Sequence, residues 1–193
     1  MLLSIDTSHG TSAAVFADEC LSFVAIDDLF THAESIGLAI EQALQQADVS
    51  VEQLTAVAVG RGPAPYTGLR VGMAAATSLS KARSLPLYGV ITLDAIANSI
   101  SDKDLLVVTD AKRKELFAAT YKAGNRLLGP MLITAEELTN YPGFELIQQP
   151  CNAKLIGQYV KKALQLGVDL SDLSALYLRS PDVTPSPGKK VSG

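Results

Sequence analysis

One stretch constrains this chain more than any other: Gly60-Arg61-Gly62-Pro63-Ala64-Pro65-Tyr66-Thr67-Gly68-Leu69-Arg70-Val71-Gly72. The apolar run Ala56-Val57-Ala58-Val59 leads into it and reads as a buried strand. The small-residue run Gly72-Met73-Ala74-Ala75-Ala76 leads out and reads as helix, from about Leu69 to Arg83. The glycines and prolines between them permit a tight loop with positive φ and close backbone approach. Strand, glycine loop and helix N-terminus point free N–H groups at one spot, which suits an anion. The loop lacks Gly-Lys-Ser/Thr, so it is not a Walker A loop, and it lacks the dinucleotide-binding glycine spacing. A packing turn with no ligand fits the same residues.

Upstream, Leu2 to Ile5, Thr11 to Phe16 and Leu21 to Ile26 read as short strands joined by turns, hence antiparallel hairpins. Thr31-His32-Ala33-Glu34 is a capping box that opens a helix to about Ala47. Leu87 to Val90 is the next strand, so the first half reads β-β-β-α-β-α-β. The second half begins near Thr92, read as N-cap of a helix from Leu93 to Ile100. Strands follow at Leu105 to Val108, Leu116 to Tyr121, Leu127 to Ile133 and Phe144 to Ile147. Pro130 marks an edge or bulge. Thr134-Ala135-Glu136-Glu137 is a second capping box, Lys154 to Leu166 an amphipathic helix ended by Gly167, and Asp172 to Leu178 is expected to be a last helix. From Arg179 on, prolines, serines and lysines cannot bury much surface, and a flexible tail is expected over 181–193.

With 193 residues, the chain allows one large domain or two small ones. A net charge of −4 argues against a protein that grips nucleic acid by itself. Cys20 and Cys151, far apart and without metal spacing, read as reduced thiols. No charged-then-apolar leader and no apolar run of membrane length is present, so a cytoplasmic protein without a membrane partner is expected.

Gly-Arg-Gly-Pro, a short gap, Tyr-Thr-Gly-Leu-Arg and a further glycine make this chain resemble the TsaB family. These are bacterial subunits of the machinery that makes threonylcarbamoyladenosine in tRNA. Asp110-Ala111-Lys112-Arg113-Lys114-Glu115-Leu116-Phe117 resembles the family's Asp-Ala-Arg-Arg-Gly-Glu-Val-Tyr run, and Tyr177-Leu178-Arg179 its C-terminal Tyr-Leu-Arg. Family members usually carry Gly-Ser where Ala64-Pro65 stands here, which stiffens the loop. The motif residues to be placed are Gly60, Arg61, Gly62, Pro63, Tyr66, Thr67, Gly68 and Arg70.

The resemblance implies an α/β fold of two ribonuclease-H-like half-domains, as in the actin, sugar-kinase and Hsp70 superfamily. The second half is shortened, with limits expected at 1–92 and 93–180. It implies a non-catalytic subunit, an inactive paralogue that binds TsaD, works with the ATPase TsaE, and meets tRNA only through the complex. Alone it would form a homodimer. In that superfamily Asp6, Thr7 and Ser8 would sit at the first phosphate loop; taken alone, the residues read first as a strand-end turn with side-chain caps. The second half lacks glycine-rich phosphate loops, so no cofactor is expected. His32 has Ile36 four residues on, so TsaD's His-x-x-x-His metal pair is absent and no metal is expected. The competing readings are an ATP-dependent kinase or carbamoyltransferase using Asp6, Asp110 and the glycine loop, and a peptidase-like homodimeric regulator.

The helix after the glycine loop bears Leu69, Gly72, Met73, Ala76 and Leu79 as a core stripe. Val71, Ala74, Ala75, Ser78 and Ala82 form a second, small-residue face, and no charge occurs from Val71 to Ser80. The preceding helix adds Ala33, Gly37 and Leu44. These faces are expected to pack on equivalent helices of TsaD or of a second copy, unless the second half folds over them. Lys112-Arg113-Lys114 reads as a solvated basic turn that could touch tRNA once a partner supplies the rest of the surface.

Overall fold

The computed structural model describes residues 1–27, 32–100 and 103–179. The tail expected over 181–193 and the cap Thr31 lie outside them. The chain begins as a meander: β1 (Leu2–Asp6), β2 (Thr11–Phe16) and β3 (Cys20–Ile26) pair antiparallel in sequence. Helix α1 (His32–Gln46) then crosses to β4 (Ala56–Gly60), and α2 (Tyr66–Arg83) to β5 (Leu87–Val90). Both crossovers return parallel strands, so the sheet order is β3-β2-β1-β4-β5. Central strands β1 and β4 are buried along nearly their whole length, as their unbroken apolar runs require. The partly solvated edge strand β3 alternates instead.

The second sheet repeats this plan in shorter form. Strands β6 (Leu105–Asp110), β7 (Glu115–Lys122) and β8 (Asn125–Thr134) are again an antiparallel meander, and β9 (Glu145–Gln148) pairs parallel with β6. The order is β8-β7-β6-β9. A 3-10 turn at Glu136–Asn140 stands where the first half has α1. Its capping box is formed, with Thr134 N donating to Glu137 Oε2 at 2.7 Å. Pro130 lies on edge strand β8, where the pairing with β7 is irregular.

Each face of the first sheet has its own cover. Helices α1 and α2 bury Ile36, Ala39, Ala43 and Ala76 against Leu3, Ile5, Val57 and Val59. Helix α4 (Ala153–Gln165), from the far end of the chain, covers the opposite face. Buried hydroxyls fix it there: Ser4 donates to Ala153 O at 2.8 Å, and Ala153 N donates to Ser12 Oγ at 2.9 Å. The short helix α3 (Thr92–Asn98) packs between α4 and the second sheet.

Several expected boundaries need correction. Helix α2 begins at Tyr66, three residues before Leu69, with Pro65 as its N-cap. Thr92 is the first residue of α3 and not its cap. Its hydroxyl is turned to Pro63 O at 3.1 Å, and so is taken from the helix end. Asn152 caps α4, accepting from Leu155 N, a signal the sequence reading passed over. Residues 172–178 form no helix. Their groups are drawn outward instead: Leu176 N donates to Arg61 O at 2.8 Å, and Asp172 accepts from Ser174 N at 2.9 Å in a local turn.

Candidate functional site

The carboxyl ends of β1, β4, β6 and β9 converge, and a cavity of about 150 Å³ lies between them, reached by Ser8, Pro63, Asp110 and Gln148. Crevices at strand ends are the usual ligand sites of open α/β sheets. On the first sheet's side, Asp6 is buried. Its Oδ1 accepts from Ser8 N at 3.1 Å and Ser8 Oγ at 2.6 Å, while Oδ2 is buried with no partner. Burial pushes its pKa up to about 6, although both Ser8 bonds pull the other way. A side chain at Gly60 would collide with that free oxygen, so glycine is what lets the carboxylate lie there. Thr7 donates its hydroxyl to Gly68 O at 2.7 Å. Ser8 thus satisfies one oxygen of Asp6 and Thr7 ties the loop to the first turn of α2, while Asp6 Oδ2 is left without a partner. That geometry suits the turn reading as well as the ligand reading.

Across the cavity Asp110 is exposed. A hydrogen bond from the Lys112 side chain, at 2.8 Å, holds its pKa below the usual carboxylate range. Among the described residues no group of three or more His, Cys, Asp and Glu is placed to hold a metal ion. His32 Nδ1 is 3.0 Å from Thr11 Oγ1, and its ring lies beside Gly68.

The motif side chains do something the sequence reading did not foresee: they bind the chain's own C-terminal strap, residues 170–179. Arg61 pairs with Asp172 at 2.9 Å and donates to Ser174 O at 3.1 Å. Gly62 has φ +98°, its carbonyl accepts from Thr92 N, and Leu176 O would meet any side chain placed there. Arg70 donates to the Tyr177 hydroxyl at 3.0 Å, and its guanidinium stacks 3.9 Å over the Tyr66 ring. Tyr66 and Tyr177 lie 4.8 Å apart between centroids. Arg179 pairs with Glu115 and donates to Ala111 O at 3.3 Å. The three separated motifs are therefore one contact region. Thr67 is exposed, and Pro63 is buried in the loop. The sequence held arginines in the glycine loop and the C-terminal run, and Glu115 and Tyr177 to receive them, but no local pattern paired them.

The small-residue faces are not covered by the second sheet. Ala74, Ser78 and Ala82 of α2, and Ala33 and Gly37 of α1, are exposed; Val71, Ala75 and Leu44 are half-buried against the core below. Leu38, 48% exposed, adds an apolar side chain that the sequence reading omitted.

Two ribonuclease-H-like lobes meeting at a strand-end crevice place this protein in the actin and sugar-kinase fold class. A sequence profile of TsaD, described as tRNA N6-adenosine threonylcarbamoyltransferase, matches residues 30–176. An uncharacterised protein of Mycobacterium tuberculosis is 37% identical over 169 residues, covering 82% of this chain and 80% of that protein. The tRNA threonylcarbamoyladenosine biosynthesis protein TsaB of Buchnera aphidicola is 29% identical over 133 residues, covering 66% of this chain and 63% of its own. A Pseudomonas aeruginosa crystal structure, of a protein with similarity to peptidase YeaZ, superposes with a TM-score of 0.78 at 20% identity. It covers 92% of this chain and 99% of that one. The chain belongs to the TsaD family and, within it, to the TsaB group.

Proposed function

We propose that this chain is a non-catalytic subunit in the synthesis of threonylcarbamoyladenosine on tRNA. In this reading it binds a TsaD-like protein, with a TsaE-like ATPase, and pairs with itself when alone. Residues 1–92 and 93–180 act as its two lobes. The observation that carries the reading is the exposed face of α1 and α2. An 18-residue helix that leaves Ala74, Ser78 and Ala82 in solvent, without a charge from Val71 to Ser80, is built for close approach by another helix pair. The loop's own bonds support it: the Thr7 and Ser8 hydroxyls donate to Gly68 O and Asp6, and Arg61 is held by Ser174 O and Asp172, all inside the chain.

Ala74→Arg tests the face, because its side chain is exposed and the monomer can carry the arginine. The variant should keep its circular dichroism and lose association with the TsaD-like protein, since a charge is forced into a close apolar contact. Retained association would place the interface elsewhere. Titration of the isolated chain with ATP and magnesium should give binding no tighter than about millimolar, about −4 kcal/mol. A micromolar, magnesium-dependent site would instead favour an ATP-dependent transferase working at Asp6 and Asp110.

A further inference from the structure

The turn between β6 and β7 is built against the ordinary preferences of its residues. Lys112, Arg113 and Lys114 have φ of +64°, +56° and +64°, a region that residues other than glycine rarely adopt even singly. All three are exposed, so no buried side chain compensates for that backbone. Lys114 stands where the resembling family run has glycine. A turn chosen for stability would use glycine here; this one keeps three successive cations in a chain of net charge −4.

The surroundings share the chemistry. A cavity of about 210 Å³ beside the turn is lined by Lys112, Arg113 and Arg179 together with Tyr66, Phe117 and Tyr177. The nearby carboxylates Asp110 and Glu115 are already paired with Lys112 and Arg179. No ion pair among the described residues holds Lys114 or Arg70. Arg70 is exposed, and its guanidinium carbon lies 3.9 Å from the Tyr66 ring centroid and 5.8 Å from that of Tyr177, a cation–aromatic cluster of the kind on which an unstacked base rests. Cations for phosphates beside stacking planes are the mark of single-stranded RNA contact.

We infer that the Lys112–Lys114 turn and the adjoining Arg70–Tyr66–Tyr177 stack form the surface through which this chain touches RNA. This rests on the subunit reading above, which makes tRNA the substrate of the assembly. The turn supplies phosphate contacts, which position without reading sequence, and the stack receives a base.

The test uses the full chain assembled with its TsaD-like partner and a labelled, unmodified tRNA transcript, titrated at several salt concentrations. Arg113→Glu with Lys114→Glu should leave the assembly intact and weaken tRNA binding by about tenfold. Lys114→Gly is the second variant. Relieved of its strained φ, it should melt higher than the parent, yet bind tRNA with a salt slope reduced by about one. That combination separates a binding role from a structural one. Unchanged affinity and slope would overturn the inference. So would loss of the assembly in either variant, which would make the surface a protein contact. A parent assembly that forms but does not bind tRNA would overturn it while leaving the subunit reading standing. Failure of the two proteins to associate would remove both.

Discussion

Asp6 carries a carboxylate into a place that water does not reach, and its free Oδ2 finds no donor there. Burial therefore favours the protonated form, raising its pKa from 3.8 to about 6. The folded state then holds a proton that the unfolded chain gives up, so this group's contribution is best at low pH and declines as pH rises from about 4 to about 6. A shift of that size corresponds to about 3 kcal/mol. Asp6→Asn cannot ionise. Its stability relative to the parent, measured by urea unfolding, should improve on going from pH 4 to pH 7.5. A difference that stays flat across that range would mean that the Asp6 carboxyl ionises alike in the folded and unfolded chain. The sequence located Asp6 at a strand end; its isolation depends on Gly60, 54 residues away, which no local pattern announces. Arg61 teaches the complementary lesson. An arginine in a glycine loop reads as a ligand group, yet Asp172 and the Ser174 carbonyl, more than 100 residues on, take its donors.

At the scale of elements, α4 shows how the two halves are joined. The helix was legible from its apolar period and the glycine after it. Its place on the first sheet was not, because it follows the second sheet in sequence. Gly157 decides the fit: the Phe16 ring lies against the helix backbone where a side chain would stand. Gly157→Ala should cost about 1–3 kcal/mol through overpacking, even though alanine is the better helix former. In a Phe16→Leu background the same change should become neutral or favourable, a coupling that chemical unfolding of the four proteins measures. Equal costs in both backgrounds would mean that the ring is free to move away. The strap is the converse case. Asp172 to Leu178 carries enough helix-forming residues to predict a helix, but the backbone bond from Leu176 N to Arg61 O and the side-chain turn at Asp172 hold it out of one. Local propensity lost to tertiary hydrogen bonds.

For the whole molecule, the order and kind of nearly every strand and helix, and the shortened second half, were legible in the linear chain. Short loops, buried apolar runs and helical periods are local, and they record where chain must be covered. The family motifs were legible for the same reason, as continuous runs. It took the packed fold to show that three such runs, near residues 61, 112 and 178, form one region, with Arg70 stacked on Tyr66 and Arg179 ion-paired with Glu115. It alone decided that α1 and α2 keep their small-residue faces in solvent, since α4 occupies the opposite face of the sheet. Contacts between residues a hundred positions apart depend on how sheets pack, and side-chain periods along one element carry no information about which distant element will meet its outer face.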